Sequence, residues 1–287
     1  MRPTVGRLSL IAALLVVVAV VGQAVGSYPG SGYVGSLLAQ APGDETVGAA
    51  LCTSHERPVS YEEGLRGTSD DRLRSSRAWL SAMDPEPVVG YLDRTTARCG
   101  DKVGVHLSGK GPAVLSAYRV GWYGGAGTRL VWTSPRVPTR TQAPVALDPS
   151  TYMNEASWPT TTTLTVQPDW TPGFYLVVVS QLGSRKGAGA GSIMPLIVQH
   201  RGQARLLAVA STLTWLSYND YGGHSTYHGP NNDDKRSTIG SMDRPMTGSG
   251  LRHMLVYDVP LARFLGRAGI ETEWTSADQL DTEPSLV

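Results

Sequence analysis

The rhythm of hydrophobic and polar positions changes several times along the chain. Residues 8–21 form an almost unbroken apolar run with Ser9 its one polar member, and residues 25–57 are polar and small with no period, as in a linker. Between 60 and 83, Leu65, Leu73, Trp79 and Leu80 are interleaved with Glu62, Glu63, Asp70, Asp71, Arg72, Arg74 and Arg77. That pattern predicts one short amphipathic helix, capped by Ser69 or Asp70 and ending before Pro85. From Val88 the period becomes two. Short β-branched runs at 88–92, 103–107, 113–120, 162–166, 173–179 and 192–198 are separated by Gly, Pro and Asp turns. They predict an antiparallel β-sandwich over 88–201, immunoglobulin-like, with room for seven strands.

After Gln203 the pattern changes again. Residues 205–210 read as one continuous apolar strand, of the kind buried on both faces. A polar loop over about 211–250 follows, then a helix over 259–269 with apolar residues at three- and four-residue intervals and Gly269 as its stop. Residues 270–274 read as a second strand and 276–280 as a helix start. The order strand, loop, helix, strand is a βαβ unit that opens a doubly wound α/β domain over 203–287. Two parallel strands do not make a stable sheet by themselves, so this unit is expected to be incomplete, or to lean on the sandwich.

Export is the next expectation. Arg2 and Arg7 precede the apolar run, and Gly22 and Ala24 supply small residues at a cleavage position. Residues 1–24 therefore read as a signal peptide or membrane anchor, 25–59 as a linker and 60–87 as a short helical segment. The rest of the chain is expected to be secreted or membrane-anchored, outside the cytoplasm. Cys52 and Cys99 are the only cysteines. In an oxidising compartment such a pair is expected to form a disulfide. A net charge of +1 leaves no electrostatic footprint for nucleic acid. It leaves N-terminal membrane contact and self-association open.

The chemistry-bearing segment follows the first α/β strand, where open α/β sheets place their sites. It contains Tyr218, Asn219, Asp220, Tyr221 and His224. Phenol, carboxylate and imidazole groups without a thiolate suit hard or borderline ions, ferric iron above all. Gly121 to Gly127 lacks the strand-to-helix setting of a dinucleotide loop and reads as a tight hairpin. No Gly-x-Ser-x-Gly elbow supports a serine hydrolase. Trp122, Tyr123, Trp132, Trp158 and Trp170 are either packing residues or contacts for a cell-surface glycan or protein.

Several segments together resemble the N,N-dimethylformamidase large (beta) subunit-like C-terminal family. They are Gly90-Tyr91-Leu92-Asp93-Arg94, Tyr118-Arg119-Val120-Gly121-Trp122-Tyr123-Gly124-Gly125, Trp158-Pro159, Gly173-Phe174-Tyr175, Tyr218-Asn219-Asp220-Tyr221-Gly222-Gly223 and Asp243-Arg244-Pro245. The resemblance implies an immunoglobulin-like sandwich followed by a glutamine-amidotransferase-like α/β domain. It also implies a mononuclear iron, held by two tyrosines and a glutamate, that activates water against a small amide. Tyr218 matches one ligand position. The second tyrosine is open: the family often has Tyr after Asp-Arg-Pro, where this chain has Met246, and Tyr257 is the alternative. Asn219, Asp220 and His224 are the candidate catalytic residues around the metal. The glutamate is expected in a segment beyond residue 287, so this chain is expected to be an inactive fragment. The alternative expectation is a sandwich-based binding module.

Overall fold

The computed structural model describes residues 19–20, 52, 58–68, 73, 87–182, 191–199, 204 and 206–283. Most of the predicted leader, linker and 60–83 helix lies outside the described residues. A two-residue strand, β1 (Ala19–Val20), is placed beside Leu206 and Leu207. Helix α1 is short, Val59–Glu63, and follows Pro58; the predicted cap at Ser69 or Asp70 lies outside the described residues.

Two sheets build the sandwich. In the smaller, β2 (Val88–Leu92), β4 (Lys102–Gly109) and β9 (Thr162–Thr165) are antiparallel in the order β2-β4-β9. The larger contains β3 (Thr96–Arg98), β5 (Ala113–Val120), β6 (Thr128–Thr133), β10 (Gly173–Gln181) and β11 (Ile193–Gln199) in the order β3-β11-β10-β5-β6. Its β3–β11 pair is parallel, so the sandwich is not wholly antiparallel as expected. The turn at Tyr123–Gly125 joins β5 to β6, which is the expected hairpin. A small hairpin, β7 (Ala146–Leu147) with β8 (Asn154–Glu155), lies in the connection to β9. Val103, Val105, Leu107 and Leu164 of one sheet meet Leu115, Tyr175, Val177 and Leu196 of the other in a shared core. Cys52 is joined to Cys99, beside β3, as expected.

The last third is an α/β unit. Strand β12 (Leu206–Ala210) is followed by α2 (Thr212–Tyr218), so the predicted loop begins as a helix. After a long irregular stretch, α3 (Gly248–His253), a π-helical turn (Met254–Asp258) and α4 (Val259–Arg267) run on as one rod. Strand β13 (Thr272–Ser276) returns parallel to β12. Helix α5 (Ala277–Thr282) starts where expected, capped by the Ser276 hydroxyl, which accepts from the Gln279 amide at 3.2 Å.

This unit leans on the sandwich. Trp215, Met254, Val259, Leu265 and Trp274 pack on Tyr118, Val120, Phe174, Leu176 and Ile197, on the outward face of the five-stranded sheet. Hence β10 and β11 are the strands covered on both faces, and Phe174 to Val179 is accordingly an unbroken apolar run. Strand β12 corrects the expectation. Only Ala208 and Ala210 are buried, while Leu206, Leu207 and Val209 stay partly open. The sandwich supplies cover to one side of the parallel pair.

Candidate functional site

The parallel strands deliver α2 and α5 to one end of the sheet. There the Thr212 hydroxyl donates to Asp278 Oδ1 at 2.7 Å and accepts from the Ala277 amide at 3.1 Å, tying the two carboxyl-terminal ends together. Asp258, in the π-turn, is buried and accepts from the Ser211 amide (3.0 Å) and from Trp215 Nε1 (2.7 Å). Burial pushes its carboxyl up, against those hydrogen bonds.

The loop after α2 is fixed by its own polar residues. Asn219 Oδ1 accepts from the amides of Tyr221 and Thr247, each at 3.2 Å, and its Nδ2 donates to Pro245 O at 3.0 Å. The first of these is an Asx turn. Arg244 is buried and spans the loop, donating to the carbonyls of Tyr221 (3.0 Å), His224 (3.2 Å) and Asn219 (3.0 Å). Burial pushes its guanidinium down to about 10, with the Asp220 charge working the other way. The loop also grips the sandwich. Tyr221 meets Trp158 edge-on, His224 stacks on Tyr152 at 5.5 Å, and the Ala156 amide donates to Asp243 O at 2.7 Å. Gly222, at φ 92°, presses on Asn154 so closely that an added Cβ would lie 2.6 Å from its Cγ.

The exposed side of α2 and the rod carries a ladder of rings. Tyr218 stacks on Tyr227 (4.2 Å between centroids) and on His253 (3.9 Å), and His253 stacks on Tyr257 (5.6 Å). Tyr227 and Tyr257 are about half exposed, at 56% and 46%. The hydrogen bond with Tyr227 pushes the Tyr218 phenol above its ordinary value, and slight burial and the neighbouring phenols act in the same sense. Burial and the Arg252 charge push the His253 imidazole down, with Asp258 opposing, which favours its neutral form. The ladder therefore offers three phenols and a neutral imidazole, a donor set suited to a hard or borderline ion. No group of three His, Cys, Asp or Glu side chains that could hold a metal occurs among the described residues.

The candidate residues thus divide. Tyr218 and Tyr257 come together on His253. Asn219 and His224 lie inside the loop: the Asn219 amide is engaged by backbone, and His224 is buried with its Nδ1 unpartnered. Asp220 accepts from the Thr247 hydroxyl at 3.4 Å. Met246 is buried in the core beneath the α/β unit. Of the aromatic residues weighed as surface contacts, Tyr123, Trp158 and Trp170 are interior and Trp132 packs against the core of the sandwich. Trp122 is 36% exposed beneath the Arg267 guanidinium, 4.7 Å from its ring.

Sequence reasoning missed a second polar centre. Glu62, wholly buried, accepts from Tyr123 Oη (2.7 Å), from Arg129 Nε (2.6 Å) and Nη2 (2.9 Å), and from the Thr171 hydroxyl (3.2 Å). Glu63 accepts from Arg119 Nη1 (2.9 Å) and from the amides of Trp122 (2.6 Å) and Tyr123 (3.2 Å). Burial opposes the Glu62 charge. Hydrogen bonds from Arg129 and Tyr123 and the charges of Arg119 and Arg129 outweigh it, holding the carboxyl below its usual range. The arginine and glycines of the 118–125 motif therefore serve to clamp α1. The one signal in the sequence was a pair of glutamates ahead of a motif with an arginine in a strand.

Residues 114–287, more than half of the chain, match the family described as N,N-dimethylformamidase beta subunit-like, C-terminal. No curated protein matches the chain.

Proposed function

From the premise that the chain belongs to the N,N-dimethylformamidase beta subunit-like family, we propose that it supplies two tyrosine ligands to an exported, iron-dependent hydrolase of small amides, whose third ligand is the glutamate the resemblance implies. The observation that carries this reading is that Tyr218 and Tyr257, 39 residues apart, both stack on His253. Tyr218 and Tyr257 would hold the iron through their phenolic oxygens, with His253 in contact with both rings. When bound, a ferric ion supplies Lewis-acid activation of water and of an amide carbonyl. The chain's own contribution is positional. Arg244 and Asn219 fix the loop that leads out of Tyr218, and Tyr227, stacked on Tyr218 at 4.2 Å between centroids, holds its ring in place. The π-turn, a feature common at functional sites, sets Tyr257 relative to His253.

In the same reading the two-sheet unit is immunoglobulin-like and the β12–β13 unit is the opening of a glutamine-amidotransferase-like domain. Export is supported by the Cys52–Cys99 disulfide together with the basic and apolar N-terminus. The test is to produce the full chain in an oxidising compartment, load it with ferric iron, and record the visible spectrum and amine release from N,N-dimethylformamide. A tyrosinate-to-iron band that is lost in Tyr218→Phe and weakened in Tyr257→Phe is expected. Absence of bound iron and of the band would overturn the proposal.

A further inference from the structure

The rod formed by α3, the π-turn and α4 has two unlike faces. Met254, Leu255, Val259, Ala262 and Leu265 turn inward and are buried. Arg252, Val256, Pro260 and Phe264 follow one another at four-residue intervals and are exposed, with exposed Arg267 one step further along the same side. The outward face of a helix is ordinarily polar. Here it carries Val256 and, at 62% exposure, Phe264, the most exposed large hydrophobic side chain among the described residues. The chain has only two phenylalanines, and the other, Phe174, is sealed in the core. At the end of the rod the Arg267 guanidinium lies over the partly exposed Trp122 ring, 4.7 Å from its centroid.

The charge on this face has one sign. Arg252 and Arg267 make no ion pair among the described residues. Between Gly248 and Ile270 the one acidic residue is Asp258, which is buried and bonded to Ser211 and Trp215. The acids at the margins of the rod are engaged elsewhere: Asp220 by the Thr247 hydroxyl, Glu63 by Arg119, and Glu271 by the amides of Val59 and Ser60. Apolar and aromatic groups edged by arginine match the surface of an anionic bilayer, which takes such side chains into its headgroup boundary and attracts cations to its phosphates. Two copies of this face would set arginine against arginine with no acid to pair them. The N-terminus, Arg2 and Arg7 ahead of the apolar run at 8–21, reads as a segment that enters a membrane, so a lipid surface is the partner nearest to hand.

We infer that the outer face of this rod docks on an anionic lipid surface. Phe264, Val256 and Trp122 enter the headgroup boundary, and Arg252 and Arg267 lie against lipid phosphates. The inference goes beyond the proposed amide hydrolysis and needs no metal.

Docking is tested on the iron-free full chain, so its failure is separate from failure of the hydrolase reading. The apolar run at 8–21 also partitions into lipid, so the readout is local to the rod rather than total binding. Fluorinated phenylalanine gives two resonances, assigned with Phe264→Leu. Bicelles of phosphatidylcholine, with or without phosphatidylglycerol, carry a lipid spin-labelled near its headgroup. Paramagnetic broadening is the difference between spectra taken before and after ascorbate reduces the label. With phosphatidylglycerol present, the Phe264 resonance is expected to broaden and that of Phe174 to be spared. An arginine at an anionic surface contributes about fivefold, so Arg252→Gln with Arg267→Gln is expected to lower the docking equilibrium about 30-fold and to remove the broadening. A Phe264 resonance that the label does not reach would overturn the inference. So would equal broadening without phosphatidylglycerol or in the double variant. A Phe264 shift that follows protein concentration without lipid would overturn it in favour of a second copy of the chain. The Phe174 resonance reports that each variant is folded. Should the double variant not fold, Arg252→Gln alone and the two lipid compositions on the parent chain decide the matter.

Discussion

Replacing Glu62 by Gln separates a buried ion pair from a solvated one. In the native protein the Glu62 carboxylate receives four hydrogen bonds and lies against Arg129, with Arg119 close behind. Glutamine keeps the shape but removes the charge, and it turns one acceptor into a donor that faces donors. Removing one partner of a buried pair costs about 3–5 kcal/mol. The Arg129 side chain is 19% exposed, so water recovers part of its loss, and the lower end, about 3 kcal/mol, is expected. At about 2–4 °C per kcal/mol for a chain of this size, the melting temperature falls by about 6–12 °C. Circular dichroism melts of Glu62→Gln beside Asp93→Asn provide the comparison. The second variant breaks a solvent-exposed pair and is expected to cost less than about 1 kcal/mol. The pH dependence has a definite sign. The folded carboxyl titrates below its unfolded value, so its stabilisation is complete above about pH 5 and is lost as the pH falls through the folded value. In Glu62→Gln that acid-side component disappears. A Glu62→Gln melt within about 2 °C of the parent would refute the account of α1 as a strap held by buried charge.

Other outcomes follow from the same contacts. Cys52→Ser with Cys99→Ser opens a loop with a sequence separation of 47 and is expected to cost about 4 kcal/mol in urea unfolding, with faster hydrogen exchange at 59–63. Gly121→Ala puts a Cβ 2.2 Å from Glu63 Oε1, where it displaces the carboxylate from Arg119. It is expected to cost about 3 kcal/mol, against about 1 kcal/mol for Gly124→Ala, which meets only the strain of its positive φ; equal losses in urea melts would show the contact to be unimportant. Arg244→Lys gives up the fork across three carbonyls and is expected to lose about 2 kcal/mol, with the exchange protection of 221–224 reduced first. Asp258 has the opposite sign to Glu62: its folded carboxyl titrates above the unfolded value, so its contribution improves as the pH falls from neutrality, and Asp258→Asn flattens that slope in pH-dependent melts.

Much was legible because it is local. Alternation along Val88–Leu92 and Ala113–Val120 is a property of each strand and its two faces, and those strands lie where the period placed them. Ser276 was readable as a cap because capping involves a hydroxyl and an amide three residues on. The disulfide was legible because the sequence offers only two cysteines to pair. Tyr218 stood out through the motif around it.

What the tertiary structure decided is which faces and charges lose their water. The run at 206–210 is as apolar as that of a doubly buried strand, yet only the side that meets the five-stranded sheet is covered, while β10 and β11 are enclosed on both sides. Glu62 and Glu63 have the local pattern of a solvated helix start. Their burial depends on Arg119 and Arg129, 56 and 67 residues further on. Arg244 likewise reads as a surface arginine, and the carbonyls of Asn219, Tyr221 and His224 draw it inside. Periodicity records how a side chain sits on its own element. Desolvation is set by whatever packs against that element, and here those partners lie tens of residues away along the chain.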